Sequence, residues 1–231
     1  MKNIYESGEY AKTNPSFHER DSGWKSSKVI KIMERNNLQP RNIIEVGCGA
    51  GEILRILQMS LEEDIELIGY DVSPQAHEIA IKKSNDKLNF FLGDVNNFVH
   101  KSKYDILLMI DVFEHVEDYI NFIRGTKHLA KKHIFHIPLD ISVQKVLRNK
   151  HHALRESVGH IHYFTKDTAL LTLEQAGYQI IDYMYTAGAY ELPNRNFMQK
   201  LLSIPRKVFY KINRDICVRV LGGYSLMVLA K

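Results

Sequence analysis

The sequence has few cysteines, no long apolar run and little excess charge. Only two of its 231 residues are cysteines, Cys48 and Cys217, and they lack the spacing of metal ligands. So few thiols exclude a disulfide-stapled secreted domain and predict a reducing, cytoplasmic setting. The longest apolar stretches, such as YDILLMIDVF at 104–113, contain carboxylates and are shorter than the roughly 18 residues of a membrane span. The first 21 residues are polar, so we expect no secretory signal.

The charge balance also excludes several classes of protein. Lys and Arg number 31 against 27 Asp and Glu, a formal net charge of +4, which is too small to predict a nucleic-acid partner. Hydrophobic residues make up 45% and charged residues 25%, so the chain can close a core. A disordered or collagen-like protein is therefore excluded.

From residue 42 onward, short apolar runs alternate with helical patterns. The predicted strands are 42–48, 65–72, 88–95, 104–112, 132–140, one after Gly177 and a last one at 222–230. Helices are predicted at 25–38, 51–60, 73–84, 116–130 and 165–176. Strands separated by helices predict an α/β, doubly wound and mostly parallel sheet. We expect one domain at 41–231, preceded by an arm and helix at 1–40, with insertions at 141–164 and 190–222.

The first predicted strand ends in EVGCGAG, a glycine-rich turn at Gly47, Gly49 and Gly51. Glycines let the backbone turn tightly and approach a ligand, and the next helix aims its N-terminus at the same place. In the dinucleotide-binding motif G-x-G-x-x-G/A the third conserved residue is small. If the motif started at Gly47, that position would be Glu52, whose carboxylate would repel a pyrophosphate. Glu45 precedes the turn and suits a cationic ligand. No Gly-Lys-Ser/Thr follows, so the phosphate loop of nucleotide hydrolases is excluded.

Two further carboxylates end the next two strands. Asp71 lies about 20 residues after the glycines, where it can accept from ribose hydroxyls, and Asp94 is placed to accept from an adenine amine. The carboxyl ends of parallel strands share one edge of the sheet. An adenosine ligand with a positive centre and no phosphate is S-adenosylmethionine.

EVGCGAG, GYDVSP, FLGDV and MIDVFEHVED, in this order, resemble the motifs of class I S-adenosylmethionine-dependent methyltransferases. The resemblance covers roughly residues 40–187 and is closest to the small-molecule branch with quinone and sugar-precursor enzymes. It implies a seven-stranded sheet of order 3-2-1-4-5-7-6 with the seventh strand antiparallel. It also implies a set of cofactor-binding residues: Glu45, Gly47, Cys48, Gly49, Gly51, Asp71, Val72, Asp94, Val95, Asp111 and Val112. In this fold a preceding segment commonly covers the cofactor, so His18, Arg20, Trp24 and Lys25 could reach the site; a simple helix-capping arm is the alternative.

Candidates for catalysis are His115, His160 and Tyr163, which follow the fourth and fifth strands. A histidine can remove a proton from an acceptor hydroxyl near neutral pH. The alternatives are that His115 caps a helix or contacts the cofactor, and that His160 pins its loop. We expect His136 to be a hydrogen-bonded core residue.

We predict no metal. The histidines 151, 152, 160 and 162 lack cysteine or paired carboxylate partners at ligand spacing. Asp111, Glu114 and His115 form an alternative cation site, by resemblance to metal-assisted quinone methyltransferases.

The segment 195–219 contains seven bases against one acid, Asp215, together with an apolar stripe. The bases are Arg195, Lys200, Arg206, Lys207, Lys211, Arg214 and Arg219. Such a segment can bind an anionic membrane surface or an acidic substrate, or form a lid or a dimer face. A packed lid with a solvated basic side is the simplest interpretation.

We therefore expect a cytoplasmic methyltransferase that uses S-adenosylmethionine and acts on a small-molecule acceptor, with an anionic acceptor as one hypothesis. A hydroxyl of a sugar or surface-polysaccharide precursor is the first hypothesis, and a lipoquinone precursor is the second. A non-catalytic cofactor-binding module is a third, and RNA methylation ranks below it because no N/D-P-P-Y/F motif is present.

Overall fold

The computed structural model describes residue 14 and residues 19–61, 64–100, 103–191 and 197–231, the side chains of 189–190 and 197–202 excepted. The predictions for His18, Arg195 and the side chain of Lys200 lie outside this part.

Seven strands form a single sheet in the order β3-β2-β1-β4-β5-β7-β6. Their bounds are β1 Asn42–Val46, β2 Glu66–Asp71, β3 Leu88–Leu92, β4 Tyr104–Ile110, β5 Ala130–Pro138, β6 Ile180–Thr186 and β7 Ser225–Ala230. Strands β1 to β5 pair in parallel, whereas β7 is antiparallel to both β5 and β6. The predicted fold and strand order are confirmed.

The strands are apolar on both faces because helices cover both sides of the sheet. Ile44 of β1 and Leu107 of β4 belong to one core, while their neighbours Ile43 and Ile106 belong to the other. Successive side chains of a strand point to opposite faces, so a continuous apolar run fills both cores.

Ten helices belong to the described part. They are α1 Glu19–Arg35, α2 Glu52–Ser60, α3 Pro74–Ala80, α4 Tyr119–Thr126, α5 Val143–Leu147, α6 Lys150–Val158, α7 Lys166–Gln175, α8 Gly188–Glu191, α9 Phe197–Ile212 and α10 Arg214–Leu221. Ser73 caps α3 by accepting from the Ala76 amide, with Pro74 at the first helical position, as the sequence predicts. None of the described helices combines the length and hydropathy of a membrane-crossing segment.

Two predicted helix boundaries are wrong. Helix α1 begins at Glu19 rather than 25, so most of the predicted arm segment 18–25 is helical. The small buried side chains of Ser22 and Ser26 allow this first part of the helix to pack against the protein. The helix predicted at 116–130 covers only Tyr119–Thr126 and is followed by a short 3-10 turn. Ala130 instead pairs with Tyr104 in the sheet, because strand pairing overrides helical pattern there.

The two predicted insertions are helical in the described part. The first contains α5 and α6, and the second contains α9 and α10. Helix α5 packs against α10, so the two insertions meet.

Candidate functional site

The glycine-rich turn between β1 and α2 is held by the end of β2. The amides of Gly47 and Cys48 donate to the Tyr70 carbonyl at 2.8 and 3.0 Å. A Cβ on Gly51 would lie 2.4 Å from the Phe90 ring, and its φ of 78° lies in the left-handed region. Both the packing and the backbone conformation therefore require glycine at position 51.

Asp71, the last residue of β2, is bonded to this turn. Its Oδ2 accepts from the Gly49 amide at 2.7 Å, and its Oδ1 accepts from the Ser73 amide at 2.8 Å. Burial raises the pKa of Asp71, while these amides act in the opposite direction. The two amides fix the orientation of the carboxylate, whose remaining lone pairs can accept from hydroxyl groups of a ligand.

Glu45 lies in β1 just before the turn and is only 1% exposed. Its Oε2 has no hydrogen-bond partner among the described residues. Burial raises the pKa of Glu45 well above its ordinary value, whereas Lys25 acts to lower it. An unpartnered buried carboxyl is a group that a cationic ligand would satisfy.

The other predicted cofactor residues lie along the same edge. Asp94 is partly buried, and its Oδ1 accepts from the amide and side chain of Asn96 at 2.9 and 3.0 Å. A Cβ on Gly47 would lie 2.6 Å from the Val112 side chain, so Val112 packs against the turn. The structure thus brings the predicted set to one edge, and its chemistry fits S-adenosylmethionine: carboxylates can accept from hydroxyls and an amine and can face a positive centre.

Asp111 has a positive φ of 54° and sits in a buried charge network. Its Oδ2 lies 2.7 Å from Lys25 Nζ, and its Oδ1 lies 2.6 Å from His136 Nδ1. The second ring nitrogen of His136 lies 2.8 Å from the Thr186 hydroxyl. Although burial raises the pKa of Asp111, His136 and Lys25 together hold it well below its ordinary value.

The structure shows where four of the predicted residues lie relative to this network. His136 is 2% exposed with both nitrogens bonded, so its prediction as a satisfied core histidine is confirmed. Lys25 reaches the site from α1, whereas Arg20 is exposed. Trp24 packs edge-on against His136, with ring centroids 5.8 Å apart.

Glu114 lies at the centre of a second cluster, within the short 3-10 turn Phe113–His115. It is fully buried, and neither carboxyl oxygen has a partner among the described residues. Burial, reinforced by Asp111, raises the pKa of Glu114 well above its ordinary value. His115 Nε2 and His160 Nε2 lie 3.8 and 4.0 Å from Glu114 Oε1, too far for hydrogen bonds.

Fixed partners orient both imidazole rings. His115 Nδ1 lies 3.0 Å from the Gly159 carbonyl, and His160 Nδ1 lies 2.6 Å from Asp140 Oδ2. A carbonyl or a carboxylate accepts, so each Nδ1 carries a proton, and the Nε2 atom of each ring lies on the side of Glu114. Asp140 is also paired with Lys145; burial opposes its charge, but His160 and Lys145 hold the pKa of Asp140 below its ordinary value.

Tyr163, the third predicted catalytic residue, is engaged elsewhere. Its hydroxyl donates to the His151 carbonyl at 3.0 Å. The structure therefore gives Tyr163 a bond within the insertion and does not bring it into the Glu114 cluster.

The residues that could together bind a metal ion differ from the alternative set given by the sequence. Among the described residues, one set of side chains is compact enough for a metal ion: Glu114, His115 and His160, with ligand atoms within 4.8 Å of one another. Asp111 is outside it because Lys25 and His136 occupy its oxygens. His151 and His162 bond to backbone carbonyls, and the exposed His152 pairs with Glu156, so these three histidines are not grouped with His160.

Sequence reasoning missed Asp140 and its pairing with His160. Asp140 follows the end of β5, just as Asp71 ends β2 and Asp94 follows β3. The rule that functional residues gather at the carboxyl ends of parallel strands would have found it.

Part of the chain is similar in sequence to known proteins. The sequence profile of a family described as a methyltransferase domain matches residues 17–183, well over half of the chain. The chain is 34% identical to malonyl-[acyl-carrier protein] O-methyltransferase 1 of Ilyobacter polytropus over 92 residues, which is 38% of this chain and 34% of that protein. It is 27% identical to the ubiquinone biosynthesis O-methyltransferase of Pelagibacter ubique over 109 residues, or 46% of this chain and 44% of that protein. The matches thus span less than half the length of these curated relatives.

A solved structure shares the fold. The magnesium protoporphyrin IX methyltransferase of Synechocystis PCC 6803, crystallised with bound S-adenosylhomocysteine, superposes with a TM-score of 0.60 at 16% identity. The superposition covers 90% of this chain and 81% of that protein.

Proposed function

Since the chain belongs to the methyltransferase-domain family of class I, S-adenosylmethionine-dependent enzymes, we propose that it methylates a hydroxyl group of a small molecule. The observation that carries the choice of a hydroxyl is the His160–Asp140 pair, with Nδ1 2.6 Å from Oδ2. An imidazole oriented by a carboxylate is suited to remove a proton from a weakly acidic group. A neutral amine would need no such base.

S-adenosylmethionine supplies an electrophilic methyl group on a positively charged sulfur. The residues that would hold it are those at the edge of the sheet, with Asp71 toward the ribose, Asp94 and Val95 toward the adenine, and Asp111 and Val112 beside the methionine part. Glu45 adds a carboxyl group without a partner among the described residues.

His160 is the proposed general base. Its Nε2 accepts the proton of the acceptor hydroxyl, and Asp140 stabilises the imidazolium through the Nδ1–H bond. Lys145 holds Asp140 in place from its other oxygen. His115 has the same orienting contact through Nδ1, but its partner is a neutral carbonyl and not a carboxylate, so we prefer His160 as the base.

Glu114 positions the acceptor in this proposal. Burial raises the pKa of Glu114 well above its ordinary value and so favours the protonated carboxyl, which can donate one hydrogen bond. An acceptor hydroxyl between His160 Nε2 and Glu114 would meet one proton acceptor and one hydrogen-bond donor.

The identity of the acceptor is a further proposal. A sugar or polysaccharide precursor with an anionic carrier suits the basic segment 195–219, and a lipoquinone precursor is the alternative. The Pelagibacter relative, named for ubiquinone biosynthesis, supports the alternative. We place the reaction in the cytoplasm, in keeping with two buried free thiols at Cys48 and Cys217.

Methyl transfer to catechol and to a nucleotide sugar, followed through release of S-adenosylhomocysteine, tests the proposal. We expect His160→Ala to lower kcat about 10²–10⁴-fold with unchanged cofactor affinity. Asp140→Asn should lower kcat and shift its pH profile, because the amide no longer stabilises the imidazolium. His152→Ala is the matched control, since His152 is exposed in the same insertion.

Three outcomes would contradict the proposal. A wild-type rate in His160→Ala would exclude this residue as the base. A rate that disappears with a chelator and returns with Mg²⁺ would assign Glu114, His115 and His160 to a cation instead. Cofactor binding without transfer to either hydroxyl acceptor would favour N-methylation or a non-catalytic module.

A further inference from the structure

The outward face of α9 carries an exposed aliphatic stripe. Ile204 and Val208 are each 55% exposed and Ile212 is 76% exposed. Residues four apart lie on the same side of a helix, so these three form one row. The opposite side of α9 faces the protein, where Arg206 reaches the Leu221 carbonyl at 3.1 Å. A solvent-facing side of a helix is normally polar, so this row is unusual.

A second aliphatic group lies next to α9 on the neighbouring insertion. In α5, Val143 is 51% exposed, Val146 is 55% exposed and Leu147 is 81% exposed. Helix α5 packs against α10, and Arg206 of α9 lies 3.5 Å from the side chain of Gln144 in α5. We call the stripe of α9 together with these three residues the aliphatic surface. Groups of exposed apolar side chains mark interaction sites more often than scattered single ones do.

Bases border the aliphatic surface. Lys207 and Lys211 are exposed and alternate with the stripe along α9, and Arg214 follows at the start of α10. Lys211 makes no ion pair with any described residue. The single acid of the segment, Asp215, is already bound to Lys166 and the Tyr185 hydroxyl.

From this combination we propose that the aliphatic surface docks on an anionic lipid bilayer, with its side chains among the acyl chains and the lysines at the headgroups. Aliphatic residues on one row with bases beside them are typical of helices that lie in the membrane interface. Each base near an anionic bilayer adds to the attraction. A helix of 16 residues is roughly 24 Å long and lies in the surface rather than across it.

A second copy of the chain fits this surface less well. A two-fold interface brings the same patch of both subunits together, so Lys207 and Lys211 of each copy would face like charges. With Asp215 occupied, the second copy would offer no acid from this segment to compensate them.

Docking at this surface would bring the part of the site that contains Asp140 and His160 close to the membrane. Helix α5 begins at Val143, only three residues after Asp140, the partner of His160. Between them, the Ile141 amide donates to the Phe164 carbonyl, which ties this segment to the loop that carries His160. The position of α5 beside Asp140 indicates an acceptor that is held in the membrane by a lipid tail, an inference that rests on the proposed function.

Co-sedimentation of the full chain with vesicles tests the docking. We expect binding to vesicles of phosphatidylglycerol and phosphatidylcholine, and at least tenfold weaker binding to phosphatidylcholine alone. Added salt should weaken the first, because it screens exposed charges. The variants I204S/V208S/I212S and K207Q/K211Q should each lose about tenfold or more in vesicle affinity.

The controls are Leu171→Ser, an exposed leucine of α7, and Lys31→Gln, an exposed lysine of α1. Both should bind vesicles as the wild type does, and I204S/V208S/I212S should still methylate catechol, an uncharged soluble acceptor. Absence of vesicle binding, or equal binding to both lipid compositions, would overturn the docking while leaving the methyltransferase proposal intact. A dimer that dissociates in I204S/V208S/I212S would assign the surface to a second copy instead.

Discussion

At the residue scale, carboxyl groups along one edge of the sheet differ in charge because their neighbours differ. Asp111 stays ionised between Lys25 and His136. Burial raises the pKa values of Glu114 and Glu45 and outweighs the opposing effect of Lys25 on each carboxyl group. Asp71 lies between these extremes, since two backbone amides partly offset its burial. The site therefore combines a carboxylate that is held ionised with two carboxyl groups whose protonated form is favoured by burial.

Asp71→Asn tests the ribose role of this carboxylate. The amide keeps the shape of the side chain but loses its charge, and its nitrogen would face one of the two amides that now donate to it. We expect affinity for S-adenosylhomocysteine to fall by roughly 1.5–3 kcal/mol, the scale of hydrogen bonds to a charged group. Titration calorimetry measures this loss.

The control is Asp86→Asn, an exposed aspartate in the turn before β3. It should bind as tightly as the wild type. A folded Asp71→Asn variant with unchanged affinity would refute the ribose role.

At the scale of elements, α1 is attached to the site through charge as well as apolar packing. Lys25 is paired with Asp111, and Trp24 and Lys28 both contact Glu191 of α8. Burial disfavours the charge of Lys25, but Asp111 holds the pKa of Lys25 above its ordinary value. The helix thus covers the carboxyl end of β4 with a buried cation.

Lys25→Met removes that cation and leaves Asp111 with His136 alone. We expect the free energy of unfolding to fall by roughly 1.5–3 kcal/mol, because a buried charge loses one of its two partners. Urea denaturation measures the change, and Lys31→Met on the exposed face of α1 should have little effect. If the loss comes from the ion pair, adding Asp111→Asn should restore part of it; a strictly additive double variant would speak against the pairing.

At the scale of the whole molecule, a buried histidine couples folding to pH. His133 of β5 is 1% exposed, its Nδ1 has no partner among the described residues, and Nε2 lies 3.4 Å from the Thr126 carbonyl. Burial lowers the pKa of His133 to about 4 from an ordinary value of 6.5. Above pH 6.5 the histidine is neutral in both states and its contribution to stability is complete.

Below pH 6.5 His133 becomes protonated in the unfolded chain, whereas in the folded protein it stays neutral until about pH 4. Stability should therefore fall across this range by about 3 kcal/mol from His133, at about 1.36 kcal/mol per pKa unit. Denaturation curves at several pH values measure the slope, which should flatten in His133→Gln and persist in the exposed-site control His152→Gln. An unchanged slope in His133→Gln would show that other groups govern acid unfolding.

The sequence by itself determined the architecture and the edge of the sheet at which the predicted cofactor residues lie. Apolar strands alternating with helices predict a parallel sheet, because a strand buried on both faces must be apolar throughout. The turn at Gly47–Gly51 and the acids after β2 and β3 follow from local spacing, since strand ends fall at one edge of a parallel sheet. These features depend on neighbours along the chain.

Only the tertiary structure decided which charged side chains form pairs and how burial shifts their pKa values. Lys25 and Asp111 are distant in sequence and come together because α1 packs across the end of β4. Asp140 and His160 are joined across an insertion whose path no periodicity predicts. Glu114 differs from an ordinary surface glutamate only by its burial, and burial sets its pKa. Pairings and proton affinities depend on contacts through space, so the fold had to be known before the chemistry of the acceptor side could be assigned.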